Sequence, residues 1–110
     1  MILVVFEAVP TEIGRQTYLE HATMLSPRLG EVDGFVSVER FENLARPGHL
    51  LSLSAWRDMA AVDAWRRDGA HRMAQAVGRS GVFADYRLRV ATTLRDYGLT
   101  QRAEAPADAL

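Results

Sequence analysis

The pattern of apolar and polar positions predicts a β-strand in four segments of the chain, one of them a continuous apolar run and the others alternating. Residues 2–9, ILVVFEAV, are dense in β-branched and aromatic side chains, which is typical of a strand buried on both faces. Residues 35–43 and 50–56 alternate regularly, and the turn-forming residues 45–49 between them predict an antiparallel hairpin. Residues 82–98 alternate as well and predict a long final strand.

Two other segments have the spacing of amphipathic helices. The first has a stripe of apolar residues at intervals of three and four: Tyr18, Ala22, Leu25 and Leu29. Thr11 is a candidate N-cap for this helix, and Pro27 is expected to kink it or to end its regular part. The second helix is expected to begin at the cap Asp58, and a further helical piece is expected to run from Asp68 to about Val77.

The order strand, helix, strand, strand, helix, strand predicts a ferredoxin-like α+β sandwich, with one antiparallel sheet and both helices on a single face. This domain is expected to span residues 1–98, and residues 99–110 have few large apolar side chains and are expected to form a loosely ordered tail. The bare face of the sheet is expected to carry Phe35, Phe41 and Trp56 or their counterparts. Because that is much apolar surface to leave in water, we expect a second copy to cover it in a homodimer.

Composition excludes several classes of function. A chain of 110 residues is most simply one domain, and its net charge of -1 offers no basic excess for nucleic acid. There is no cysteine for a disulfide or a thiolate metal site, and no lysine for Schiff-base chemistry. The opening apolar run is too short for a signal peptide, and no stretch approaches the roughly 20 apolar residues that cross a bilayer. We therefore expect a cytoplasmic protein without a membrane partner.

The order of elements, together with GFVSVERFEN, LLSLSAWRD, AWRRDGAHRMAQ and YRLRVATTLRDYG, resembles the antibiotic biosynthesis monooxygenase family over roughly residues 2 to 98. The resemblance implies a dimeric α+β barrel. For the cofactor-free oxygenases of this family it also implies a pocket within each subunit, between the sheet and the helices. There a phenolic substrate would lose a proton and the resulting carbanion would pass an electron to O2. The expected function is a cofactor-independent monooxygenase acting on an aromatic or quinone-forming small molecule.

The same superfamily includes haem-degrading enzymes, which the resemblance tests residue by residue. Their site pairs a first-strand asparagine with a tryptophan and a histidine ten residues after it. Trp65 matches the tryptophan, but Gln75 stands ten residues later and Glu7 occupies the first-strand position. His71 follows Trp65 by only six residues, so haem degradation is disfavoured.

Four residues are predicted to line the pocket: Trp65, His71, Gln75 and Tyr86. His71 and Gln75 lie four residues apart on the further helical piece, beside its core-facing stripe, where a pocket against the sheet would open. His71 is the candidate proton acceptor, because histidine changes charge near neutral pH. The alternative is a partly buried histidine with local hydrogen bonds. Likewise, Trp65 and Tyr86 are each candidates for core as well as for pocket.

Other polar residues receive weaker assignments. His21 lies beside the apolar stripe of the first helix and is a second histidine candidate for the pocket. Ser52 and Ser54 share a strand face with Trp56, and these small side chains would leave room for a ligand or for a partner sheet.

The strand arginines Arg40, Arg87 and Arg89 are predicted to form structural cross-strand pairs with nearby acids, namely Glu39, Glu42 or Asp85.

No carboxylate stands at ligand spacing from the three histidines, so no metal site is expected. A glycine-rich phosphate loop is also missing, so the sequence gives no support for flavin or nicotinamide. The rival to the oxygenase is a non-catalytic small-molecule-binding or stress-response dimer that uses the same pocket.

Overall fold

The computed structural model describes residues 1–68 and 81–110, and these contain four strands and two helices in the predicted order. Beyond Asp68, the further helical piece predicted to run to about Val77 lies outside the described residues. The strands are β1 (Ile2–Pro10), β2 (Phe35–Glu42), β3 (Leu50–Trp56) and β4 (Phe83–Thr92). The helices are α1 (Gly14–Gly30) and α2 (Met59–Arg66). All strand pairs are antiparallel and the sheet has the order β2-β3-β1-β4, so the ferredoxin-like prediction is confirmed.

Helix α1 begins at Gly14, three residues after Thr11, whose side chain the sequence predicts to cap it. The hydroxyl oxygen of Thr11 accepts a hydrogen bond from the backbone N–H of Gly14 at 2.9 Å. A side chain at Gly14 would overlap the backbone carbonyl of Val82, so the helix start packs directly on the chain entering β4. Pro27 does not end the helix, which continues to Gly30. Leu29, buried one turn beyond Leu25, anchors this last turn against the sheet.

Helix α2 is capped as predicted by Asp58, whose carboxylate accepts from the backbone N–H of Ala61 at 2.9 Å. Arg57 donates to Asp58 and also to Asp33, at 2.9 and 3.2 Å. These hydrogen bonds stabilise the charged carboxylates and hold the pKa of both aspartates below their usual value. The cap is thus tied to the turn before β2, where Gly34 adopts a positive φ of 92°.

The structure corrects the predicted direction of Phe35 and of Trp56: a β-bulge at the start of β2 reverses Phe35, while Trp56 lies with Ser52 and Ser54 on the face of β3 that is turned to the helices. Phe35 pairs with Trp56 while Ser37 pairs with Ala55, so Val36 is the extra residue on its strand. The bulge turns Phe35 toward the helices, where its ring meets that of Trp56 with centroids 5.3 Å apart. Neither ring lies on the bare face, because Trp56 is 1% exposed and belongs to the core beneath the helices. Phe41 does lie on the opposite face and is 45% exposed.

The core lies at the end of the sheet where β3 meets α2. Its buried members are Leu25, Leu29, Trp56, Ala61 and Trp65. At the other end, aromatic rings from β1, α1 and β4 contact one another mostly edge to face: Phe6, Tyr18, Phe83 and Tyr86. The two clusters leave space between them under the helices.

The last strand is shorter than predicted, because β4 ends at Thr92. Residues 99–110 contain neither helix nor strand, and Arg102 holds them together by donating to the carbonyls of Gly98, Ala109 and Leu110. Neither helix in the described ranges has the length and apolar character needed to span a membrane.

Candidate functional site

A cavity of about 350 Å³ lies between the two helices and the sheet. Its floor consists of alternate residues of the four strands, since successive side chains of a strand point to opposite faces. The strand register sets these residues in two neighbouring rows across the sheet. From β2 to β4, one row is Val38, Ser54, Val4 and Val90, and the other is Arg40, Ser52, Phe6 and Leu88.

The cavity exists because β3 places two small side chains at the centre of these rows. Ser52 and Ser54 stand where leucine or valine would fill the space under the helices. Ser54 accepts a hydrogen bond from the indole N–H of Trp56 at 2.9 Å. The hydroxyl of Ser52 forms no hydrogen bond with the part of the chain that the structure describes, which leaves it available to a ligand.

Most of the remaining wall is aromatic or aliphatic. Trp65 is 9% exposed, belongs to the core and also lines the cavity. Tyr86, 54% exposed, lines it at the opposite end within the cluster of Phe6 and Phe83. The structure therefore brings both of these predicted residues to one cavity, while their contact with a substrate stays a prediction.

The predicted proton acceptor His71 and its neighbour Gln75 lie outside the described residues. Their assignment to the pocket also stays a prediction.

His21 on α1 lines the cavity, so the structure strengthens its candidacy as a pocket residue. Its Nδ1 atom is buried and has no hydrogen-bond partner among the described residues. A buried polar atom without a partner is destabilising, so a ligand that could hydrogen-bond to it would be favoured. The sequence indicates this position of His21 by its spacing, because His21 lies four residues from Thr17 and four from Leu25, which also line the cavity.

The structure corrects the predicted role of Arg40. This residue lines the cavity and forms no ion pair within residues 1–68 and 81–110. The acids named as its partners are directed elsewhere: Glu39 faces the opposite side of the sheet, and Glu42 approaches Arg15 at 3.8 Å. The partner of Arg89 is Glu7, at 3.2 Å on the face away from the helices, and not Asp85.

The acids and histidines of the described residues do not gather into any group that could hold a metal ion. Among the described residues, the polar groups that line the cavity are hydroxyls, indoles, an imidazole and guanidinium groups, spread over α1, α2 and three strands. Such a set can hydrogen-bond to an organic ligand and move a proton, and it leaves most of the wall apolar.

Comparison with known proteins identifies the family of the chain. The model of the family described as antibiotic biosynthesis monooxygenase matches residues 1–77. The chain belongs to the antibiotic biosynthesis monooxygenase family. A jasmonate monooxygenase of Pyricularia oryzae is 47% identical over 90 residues, which cover 82% of this chain and 42% of that protein. The chain thus spans less than half the length of this curated relative.

Solved structures agree with the fold of the family. A candidate antibiotic biosynthesis monooxygenase from Deinococcus radiodurans superposes with a TM-score of 0.79 at 13% identity, covering 90% of this chain and 98% of the other. A conserved protein from Methanosarcina mazei superposes with a TM-score of 0.75 at 15% identity, covering 84% and 91%. At these identities the likeness shows a shared fold.

Proposed function

We propose that this member of the antibiotic biosynthesis monooxygenase family is itself a monooxygenase, and that it oxidises a small, ring-bearing organic molecule in the cavity under the helices. The observation that carries the proposal is the cavity, whose aromatic and aliphatic wall is interrupted by a few polar groups able to orient a ligand. The 47% identity to a jasmonate monooxygenase supports the same reaction class.

The finer proposal is an aromatic or quinone-forming substrate, oxidised without a cofactor. Oxidation of an anthrone CH2 to a carbonyl removes four electrons from the substrate, so one oxygen atom of O2 enters the product and the other leaves as water. Hydroxylation of a single C–H bond removes only two electrons, so it requires a further two-electron donor. The rings of Phe6, Phe83 and Tyr86 would pack against the ring of such a substrate.

A proton acceptor is needed to form the carbanion. His71 stays the predicted acceptor, and His21 is the candidate within the described residues, because its buried Nδ1 atom has no partner there. Replacing each histidine by alanine in turn separates them, since only loss of the working base abolishes turnover while binding persists.

The test is oxygen uptake with an anthrone, a hydroquinone and jasmonate, with no flavin, haem or metal added and with 18O2 to label the product. Jasmonate is tested with and without an added two-electron reductant. We expect uptake that depends on the protein and one labelled oxygen atom per product. Ser52→Leu should abolish it by filling the cavity, whereas Ser52→Ala keeps the space open and should retain uptake, weakened only by the loss of the hydroxyl that is available to a ligand. Binding without uptake would instead support the non-catalytic binding dimer.

We propose further that a second copy of the chain covers the open face of the sheet. That face presents aliphatic and aromatic side chains from three strands: Leu3, Val5, Phe41, Leu51 and Leu53. Apolar side chains side by side on an uncovered sheet are typical of an interface.

A further inference from the structure

We propose that Arg40 anchors a carboxylate, so that the substrates of this cavity are small apolar monocarboxylates. The inference rests on the proposed function in one respect, namely that the molecule bound in the cavity is the substrate. It adds the chemical class of that molecule and the end at which it is held.

The position of Arg40 suits an anchor at the mouth of the cavity. It lies on the edge strand β2 and is exposed, while its row continues inward through Ser52 to Phe6 on β1. Neighbouring strands are about 4.8 Å apart, so the distance from the backbone of Arg40 to that of Phe6 is roughly 10 Å. A molecule of about that length could keep a charged end at the mouth and an apolar body against the aromatic wall.

Arg40 differs from Arg66, the second arginine that lines the cavity among the described residues, in whether an acid pairs with it. Arg66 also lines the cavity, but it approaches Asp63 at 3.5 Å. Arg40 has no acidic partner in the part of the chain that the structure describes. Its guanidinium can therefore offer two parallel N–H donors to a carboxylate, which is the geometry in which arginine binds such anions most strongly.

Ser52 supplies a further donor beside Arg40. The two residues are register partners on β2 and β3, and directly opposite side chains have Cβ atoms about 5 Å apart. Because the Ser52 hydroxyl has no partner among the described residues, it is available to the same carboxylate. Ser54 already accepts from Trp56 and lies one row farther from Arg40.

The experiment measures binding of three acids and of their methyl esters: jasmonate, 1-naphthylacetate and octanoate. Intrinsic fluorescence is a suitable signal, because the two tryptophans of the chain, Trp56 and Trp65, both line the cavity. We expect at least one acid to bind more tightly than its ester. Arg40→Gln should weaken that acid about tenfold or more and leave the ester unchanged.

Arg46→Gln is the matched control, since it removes the same charge from the exposed loop between β2 and β3. It should change neither affinity, and circular dichroism checks that both variants fold. Arg40→Lys keeps the charge without the paired donors and should give an intermediate affinity for the acid.

The outcomes separate this inference from the proposed function. Esters that bind as tightly as the acids, or an acid affinity that Arg40→Gln leaves intact, would overturn the anchor while the cavity remains a binding site. Oxygen uptake with a neutral hydroquinone but no binding of any acid would overturn the anchor alone. Absence of both binding and uptake would overturn the two proposals together.

Discussion

The two faces of the sheet use the same strands in opposite ways. A strand covered by helices on one side normally turns its large apolar residues toward them and its polar residues away. In β3 this polarity is inverted: Ser52 and Ser54 face the helices, whereas Leu51 and Leu53 face the open side. The inversion removes volume from beneath the helices and adds apolar surface to the uncovered face. One strand thereby favours both a cavity in the subunit and a partner outside it.

Charged residues differ between the faces as well. On the open face, Glu7 and Arg89 pair at 3.2 Å across β1 and β4. On the helix-facing side, Arg40 has no such partner among the described residues. An exposed guanidinium without an acidic partner is available to an anion from solution, which is the role that we propose for Arg40.

The largest effect should follow truncation of the core on the helix-facing side. Trp56→Ala removes the most deeply buried large side chain of the described residues together with its hydrogen bond to Ser54. We expect the free energy of unfolding to fall by about 3–5 kcal/mol. Urea denaturation followed by circular dichroism measures it. A loss below about 1 kcal/mol would contradict the assignment of Trp56 to the core, since that is the range of surface substitutions.

The element order, the caps at Thr11 and Asp58 and the strand β3 could be predicted from the sequence, because periodicity and side-chain capping are local properties. The direction of Phe35 could not, since a bulge of one residue reverses the face of every side chain before it. The alternation of the sequence continues beyond Thr92 and predicts a longer β4, but the strand ends there because its pairing with β1 stops.

Prediction of the site was limited by contacts between elements. Trp65 and Tyr86 could be named from their types and positions, and the structure brings both to the cavity. The acids on either side of Arg40 in the sequence predict a structural pair, but adjacent residues of a strand face opposite sides, so Glu39 cannot reach it. His21 becomes a stronger candidate because its buried Nδ1 atom has no partner among the described residues, which only the packed structure reveals.

An intermediate effect should follow a charge placed on the open face. Leu53→Glu puts a carboxylate at the centre of the proposed interface, where desolvation would oppose association. We expect wild type to sediment at twice the 12.2 kDa mass of the chain, and the dissociation constant of the variant to rise about tenfold or more.

Leu44→Glu is the control for this substitution, because Leu44 is 99% exposed in the loop after β2. It introduces the same charge away from the open face and should leave the assembly unchanged. A wild-type protein that stays monomeric at tens of micromolar would refute the homodimer. The inverted polarity of β3 would then account for the cavity, but the apolar residues on its open face would have no partner to cover them.

The smallest effect should come from the ion pair on the open face, and its size depends on whether that face is covered. Glu7 and Arg89 are each about half exposed in the single chain. In the monomer, Glu7→Gln should lower the free energy of unfolding by less than about 1 kcal/mol, and 1 M salt should remove most of this difference between wild type and variant. In a dimer the same pair loses water, and breaking it becomes more costly.

Wild type and Glu7→Gln should therefore be unfolded at protein concentrations below and above the dissociation constant of the dimer. A difference that grows with concentration places the pair inside the interface, whereas a constant small difference places it outside.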